Sequence, residues 1–462
     1  MFSSFDTLRS LVKSRGGMVG ITIISFLLAI SVYGLMFIPV TTYSEWNNPN
    51  RWIDYPKTAA PSWLNLFLQD KLFTHLILGD DSANVTAKDT SGIRTIIHTY
   101  NVDIQADSFP DDFMFKYSLE YGDTQPVVQI QVTRPDDEKF NLYYAALPSG
   151  EGNNNTYSNT IYSTDPLITQ NLKEYKYLFS YGVDISSPQT MVFSELNESK
   201  ILKGTYQISE IFYLFDENSN VLSSGVILGG KVFGLLGTDD LRRDLALGII
   251  IGAPIALFIA LTVSTISISI GLIYGVISGY KGGRTDESMM RINDIFYALP
   301  ALPLLIILSI TFGRNIFLIA GFLIIFGWVG TAKVIRSLSL QIKTYQYVEA
   351  AKIMGQSDMR IIFKHVIPQL LPITFASMAI AVPAAILGEA ALSFLGLGDP
   401  SIPTWGQMLH EANNANAAAR GIWWWIAPPG LMIAITGLAF YLVGSNLDTG
   451  SNTLRSLVTR GR

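Results

Sequence analysis

The 462-residue sequence contains no cysteine and only four histidines. Without cysteine the chain has no disulfide staple and no thiolate to act as nucleophile or metal ligand. His75, His98, His365 and His410 are scattered along the chain. They show no H-E-x-x-H or paired-ligand spacing, so each reads as an ordinary surface or capping residue. A G-x-x-x-x-G-K-[ST] phosphate loop is also missing. The Gly-rich stretch "GYKGGRTDES" (279–288) lacks that spacing, so any ATP hydrolysis belongs to another chain.

Charged residues make up only 15% of the chain, against 49% hydrophobic. Crossing a bilayer as a helix takes about 20 apolar residues. Six runs qualify, at roughly 18–40, 246–280, 295–313, 316–332, 371–395 and 425–446. Between the first two lies a polar block. Residues 41–243 hold 15 Lys+Arg against 26 Asp+Glu, a charge of −11, and the rest of the chain is +6. Lysine and arginine in short loops stay cytoplasmic. Arg9, Lys13 and Arg15 precede the first run, Lys281, Arg284 and Arg291 follow the second, and Lys333, Arg336, Lys343, Lys352, Arg360 and Lys364 follow the fourth. Arg455, Arg460 and Arg462 end the chain. Every other loop is therefore basic, which predicts six spans, both termini in the cytoplasm and residues 41–243 outside. The first run offers no small-residue cleavage site in "YGLMFIPVTTY" and reads as a retained span rather than a signal peptide.

The outer block predicts a β-sandwich-like domain. "FMFKYSLEY" (113–121), "PVVQIQVTR" (126–134), "KFNLYYAAL" (139–147), "YKYLFSYGVD" (175–184) and the stretch 205–228 alternate aromatic or β-branched residues with polar ones. Asp216, Asn218, Ser219 and Asn220 supply a turn within the last of these. "LPSGEGNNNTYSNT" (147–160) reads as a flexible polar loop. Asn84, Asn154 and Asn197 begin N-glycosylation patterns, which arise often by chance in Asn-rich loops.

The segment "EAAKIMGQSDMRIIFKHVIP" (349–368) is charged and helical in pattern, and lies between two apolar runs. Ala350, Ala351, Met354 and Gly355 share one narrow face of small or pliable side chains, around which Glu349 starts the helix. Gly355 can end that helix in a left-handed cap, and Ser357 or Asp358 can cap a second, "MRIIFKHVI", ending before Pro368. Two short helices bent at a glycine suit docking into a cleft on a soluble partner. The other reading is an amphipathic helix lying on lipid, served by Lys352, Arg360 and Lys364.

Glu-Ala-Ala, three residues, Gly and a distal Ile-Pro resemble the EAA loop of ABC-importer permeases. His365 stands where that family usually has Ile, and Ile367 where it has Leu. "LGTDDLRRD" (236–244), "DIFYALPALPLL" (294–305) and "GEAALSFLGLGDPSIPTWGQML" (388–409) extend the resemblance to the C-type permease subunit of dipeptide/oligopeptide importers, loosely over 1–40 and well over 234–462. Family members usually read "DELGRD" where this chain ends Asp240-Leu241-Arg242-Arg243-Asp244, so a second cation replaces a glycine.

The resemblance implies a type I importer permease fold of six transmembrane helices, with residues 1–40 as N-terminus and first helix. It implies a five-helix core at 234–462, with a cytoplasmic coupling loop at 333–370. Residues 41–233 are an extracytoplasmic β-rich insertion about which the family says nothing. The resemblance also implies a path for di- or oligopeptides in a prokaryotic cell membrane, although oligosaccharide, nickel or glutathione are carried by some relatives. The implied partners are a homologous second permease, two ATP-binding subunits that carry ATP and Mg, an external substrate-binding protein and membrane lipid. No cofactor is expected on this chain and no nucleic-acid partner. A membrane sensor whose outer domain is the working part is the reading from another class.

Glu349, Ala350, Ala351, Met354 and Gly355 then couple to the ATPase, and Glu389, Asp399 and Trp405 belong to the path or its outer gate. Glu389 can meet a peptide's amino group, pair with a partner's arginine, snorkel to the interface or cap a helix break. Asp294 reads as a cap or a partner for Arg291. Pro300 and Pro303 break helical bonds in the third run, which places that run inside a bundle. Trp423, Trp424 and Trp425 mark the outer interface. The loop 396–422 before them is long enough to fold back into the mouth of the path.

Overall fold

A computed structural model describes residues 12 and 14–460, except 91, 123, 150–154 and 217; at 155 and 448–460 it describes backbone alone. Arg9, Lys13, Asn154, Arg462 and the side chains of Arg455 and Arg460 lie outside the described residues. The chain divides into two units: residues 1–47 with 246–462, and residues 48–245.

The first unit is helical. Its longer helices are α1 (Arg15–Phe37), α2 (Leu245–Lys281), α3 (Gly283–Ala298), α4 (Ala301–Phe312), α5 (Ile316–Ile342), α6 (Gln346–Ile353), α7 (Ile367–Phe394), α8 (Trp405–Asn414) and α9 (Trp423–Arg460). Among the described residues five helices are long and apolar enough to cross a membrane, and α3 with α4 forms a further candidate bent by 75°. Pro300 sits at that bend as the N-cap of α4, and Pro303 lies in the first turn of α4, where a missing N–H costs least. Helices α2 and α5 meet along Gly271, Gly275 and Gly279, spaced four residues apart. A Cβ at Gly275 would lie 2.5 Å from the Ala332 carbonyl, and one at Gly279 the same distance from that of Arg336. Only glycine lets the two backbones come so close, which is how helices associate where no hydrophobic drive separates lipid from leucine.

The second unit is an antiparallel sandwich. One sheet runs β1 (Leu76–Leu78), β9 (Asn220–Leu228), β4 (Phe113–Tyr121), β7 (Asn155–Tyr162), and the other β2 (Asn84–Thr90), β3 (Ile93–Ile104), β8 (Gly204–Leu214), β5 (Val127–Thr133), β6 (Lys139–Ala146). Alternate residues of β3, β4, β5 and β8 point inward, so Tyr100, Phe115, Ile130 and Phe212 join one core between the sheets. Arg134 is buried and donates to both carboxylate oxygens of Asp136 and to the carbonyls of Met191, Val192 and Ser194, which fastens the short helix Pro188–Phe193 to the sandwich.

The structure corrects several expectations. Residues 175–184 form no strand; Lys176–Leu178 is a 3-10 turn that turns Tyr175 onto Phe140 and leaves Tyr177 and Tyr181 exposed. The polar loop 147–160 contains the start of β7, an edge strand, where a polar sequence is tolerated because one side faces solvent. Strands β1, β2 and β3 were not foreseen. His75 and His98 are buried rather than on the surface. His75 accepts from Gly230 N–H, and His98 packs between the sheets, so burial holds both imidazoles below their ordinary pKa.

Candidate coupling surface and membrane-depth polar groups

Helix α6 ends in a Schellman motif. Gly355 takes φ +81°, its N–H donates to Lys352 O at 3.0 Å, and Gln356 N–H donates to Ala351 O at 3.2 Å. Ser357 precedes the turn Asp358–Ile361, and a π-helical stretch, Ile362–Val366, feeds directly into α7. Pro368 therefore does not stop the second helix. The widened turn, with Ile367 N–H bonded to Ile362 O, absorbs the clash and missing donor that proline brings, and the apolar helix runs from Asp358 to Phe394.

The face of α6 is split. Val348 and Ala351 pack with Tyr280, Ile335, Ile342, Ile361 and Val366 of the same unit, leaving Ala351 only 1% exposed. Ala351 is thus a core residue, although the sequence pattern groups it with the docking face. The surface that remains is Glu349, Ala350, Ile353 at 87% and Met354 at 72% exposure, with Gly355 at the tip and Tyr345, Tyr347, Met359 and Phe363 around it. Ile353 and Phe363 were not foreseen; helical spacing from Ala350 would have put Ile353 on the outer side. A cavity of about 270 Å³ opens beside α6, lined by Tyr280, Lys281, Lys343, Thr344, Val348, Glu349, Lys352 and Asp358.

Polar groups in the helical unit are held by cross-helix partners. Asp286 at the start of α3 accepts from Arg336 Nε and Nη2 of α5, each at 2.5 Å, and from Ser278 Oγ of α2. Three helices are pinned at one carboxylate. Asn293 Nδ2 donates to Val329 O at 3.0 Å. Asp294 pairs with Lys333 at 2.8 Å rather than with Arg291, whose neighbour is Glu287. Lys333 also lies over the Tyr297 ring. His365 meets Gln356 just past the end of α6, and His410 meets the carbonyl of Phe394, the last residue of α7, so both brace helix ends.

Each of the three residues expected at the path has its own hydrogen-bond partner. Glu389 is buried within α7 and accepts from Ser393 Oγ, one turn on, at 2.7 Å. Asp399 closes its own turn by accepting from the Ser401 N–H and hydroxyl. Trp405 is buried and donates from Nε1 to the Ile249 carbonyl at 3.2 Å, anchoring α8 to α2. The loop 396–422 contains this ten-residue amphipathic helix, whose Met408 and Ala412 are buried. Among the described residues no three metal-ligating side chains gather.

The family model described as "Binding-protein-dependent transport system inner membrane component" matches residues 271–450. The oligopeptide transport system permease protein of Bacillus subtilis is 39% identical over 46% of this chain and 68% of its own length. The chain belongs to the permease family of ABC importers. The corresponding protein of Haemophilus influenzae is 36% identical over 50% of this chain and 73% of its own, and that of Lactococcus lactis SK11 33% identical over 53% and 85%. A chain of the inward-facing MetNI methionine ABC transporter covers 45% of this chain and 95% of its own at 19% identity and a TM-score of 0.36, too low to add to the assignment. This permease is a multi-pass protein of the cell membrane, and its helical unit contains the family match. The β-rich unit lies outside residues 271–450.

The family's "DELGRD" pattern acquires a physical meaning here. Arg242, which stands at the glycine, takes φ +66°, a conformation that favours glycine. Its guanidinium donates to the carbonyls of Ile53 and Tyr55 and approaches Asp112 at 3.6 Å, all within the β-rich unit. Arg243 is buried against Asp239 at 2.6 Å.

Proposed function

We propose that this permease forms, with a second homologous permease, the translocation path of a peptide importer driven by two ATP-binding subunits and fed by an external binding protein. The matched relatives are named as oligopeptide or dipeptide permeases, which supports peptide over oligosaccharide, nickel or glutathione and over a sensor. The bent pair α3–α4 supplies the sixth span, both termini and α6 face the cytoplasm, and residues 41–243 face outward. ATP and Mg bind the partner subunits.

The observation that carries the reading is the coupling knuckle: a short helix whose inner side is fixed in the core and whose outer side ends in bare Ile353 and Met354 at a glycine turn. Apolar side chains at the tip of a rigid element fit a cleft, and a few such residues dominate docking energy. Closure of the ATP-binding pair pulls on this knuckle, and the continuous helix from Asp358 to Phe394 carries the movement to membrane depth. Glu349, Ala350, Met354 and Gly355 make the contact, and Ala351 positions them. Glu389, Asp399 and Trp405 shape the outer gate through the segment they hold together. The outer unit, with its −11 charge, receives a basic-faced binding protein, an attraction that salt screens over about 8 Å.

The test is purification of the whole complex with its binding protein from native membranes, followed by mass spectrometry of the bound ligand. Peptides in the binding protein, and ATP hydrolysis that rises when they are added, are expected. A co-purified sugar, or the absence of any ATP-binding chain, contradicts the proposal.

A further inference from the structure

The basic residues toward the end of α5 are of two kinds. Lys333 and Arg336 each meet a carboxylate of α3, Asp294 and Asp286. Lys343, which caps the same helix, does not, and neither do Lys281 at the end of α2 and Lys352 in the last turn of α6. Among the described residues none of these three forms an ion pair. All three line the cavity of about 270 Å³ beside α6. Lys343 folds inward over the buried Tyr280 ring, 5.8 Å from its centroid. A Cβ on Gly282, the residue after Lys281, would lie 3.6 Å from the Lys343 ammonium nitrogen, so this charge sits beside the turn that follows α2.

Two carboxylates, Glu349 and Asp358, also line the cavity. Each stands in the first turn of its own helix, where the backbone dipole favours an acid without help from a lysine. The lysines stand at helix C-termini, which favour a cation in the same way. That accounts for the sign of each one. It does not account for three ammonium groups, from the ends of three helices, lining one hollow with no carboxylate in ion-pair reach. Like charges gathered in this way repel one another and favour an anion among them.

The class of anion follows from the donors and their place. An ammonium is a compact point charge with three donors, suited to phosphate. A tetrahedral phosphate presents oxygens in several directions and can meet cations arriving from three helices, whereas a carboxylate is flat and has two. Lys281 and Lys343 end the apolar helices α2 and α5, at the level where the phosphates of a bilayer lie. We propose that Lys281, Lys343 and Lys352 hold one phosphate group in this cavity, supplied by the headgroup of an anionic phospholipid or by phosphate in solution. The site needs nothing from the ATP-binding subunits. Because Lys352 belongs to α6, a bound phosphate also ties that helix to α2 and α5, and this consequence alone rests on the coupling role proposed for α6.

Amine reactivity tests the site lysine by lysine. The delipidated full chain in a maltoside detergent, which carries no phosphate, is pulsed with an acylating ester in chloride, in inorganic phosphate at equal ionic strength, and in chloride with phosphatidylglycerol added to the micelles. Mass spectrometry of the digested chain gives the labelling of each lysine, and Lys364, exposed on the same unit, controls for general surface charge. Labelling of Lys281, Lys343 and Lys352 is expected to fall together, several-fold relative to Lys364. A fall in inorganic phosphate identifies phosphate in solution as the source, and a fall with phosphatidylglycerol identifies the headgroup. Lys343→Gln should restore labelling at Lys281 and Lys352, and Lys281→Gln should restore it at the other two, as one shared anion requires. A fall no larger than that at Lys364 with both additions, or protection that survives both substitutions, overturns the proposal.

Discussion

The two units treat buried polar groups differently. In the helical unit two carboxylates are held by cations of a neighbouring helix, Asp286 by Arg336 and Asp294 by Lys333, while Glu389 accepts from Ser393 within its own helix. In the sandwich Glu210 is wholly buried and neither of its carboxyl oxygens completes a hydrogen bond. It lies opposite His98 across β3 and β8, and the nearby Ser224 hydroxyl is committed to Tyr100 at 2.5 Å and His98 at 2.6 Å. Burial pushes the Glu210 carboxyl well above its ordinary pKa, with Ser224 a smaller opposing influence and the Asp80 charge adding to the rise. A charge in lipid must be paired across helices, whereas a sandwich core can keep a carboxyl neutral instead.

Breaking the paired side of this contrast gives the largest effect. Asp286→Ala strands Arg336 and should cost the helical unit up to about 3 kcal/mol, the lower end for a buried pair because Arg336 is partly exposed. Thermal unfolding of the full chain in detergent measures it. The double variant with Arg336→Ala should lose less than the two single losses added together; strict additivity would mean that the pair does not act as a unit.

Ala351→Trp comes next. Overpacking the core beneath α6 should lower stability by about 1–3 kcal/mol and reduce the amount of assembled protein in the membrane. A fully stable, normally assembled variant would show that α6 is free to lift from its bed.

The unpaired side is probed by Glu210→Gln. The folded carboxyl titrates above its ordinary value, so its contribution to stability is fully present below about pH 4.5 and is lost as pH rises toward the folded pKa. Glutamine has no proton to lose. The advantage of the variant over the native chain should therefore grow with pH, by at most about 1.4 kcal/mol per unit. Pulse proteolysis of the full chain in urea, between about pH 5 and pH 8, reads the difference. His98 and His75 act oppositely, being held neutral, but they are common to both chains. A pH-independent difference would mean Glu210 is ionised in the fold.

Arg242→Gly is the smallest and most discriminating change. Relief of the left-handed backbone, worth about 1 kcal/mol, opposes loss of the bonds to Ile53 and Tyr55. Arg242→Ala keeps the strain and loses the bonds, so in thermal unfolding it should be clearly less stable than Arg242→Gly. Equal stability would remove backbone strain from the account.

What the sequence disclosed follows the same division. The glycine turn at Gly355 was legible because a Schellman cap needs a left-handed residue at a fixed place after the helix. The burial of Ala351 was not, since small residues fit both a docking face and a tight core, and only the neighbours on α2 and α5 decide. Strands β4, β5 and β6 announced themselves through alternation, but so did 175–184, where aromatics at every second position serve a turn instead. The edge strand β7 is too polar to carry a signal and owes its conformation to pairing with β4. Glu389 was visible as a carboxylate at membrane depth, while its partner Ser393 was one helical turn away in plain sight.

The central claim is that the outer face of α6, not its inner one, transmits ATPase closure. The direct measurement is substrate-stimulated ATP hydrolysis by the assembled complex in nanodiscs carrying Met354→Asp or Ile353→Asp, beside the native chain. Both substitutions lie on bare surface and should leave thermal stability and insertion unchanged. Stimulated hydrolysis should fall about thirtyfold, the size of losing one docking anchor of about 2 kcal/mol. Native rates in stable complexes of both variants would contradict the account and move coupling to another surface of the permease.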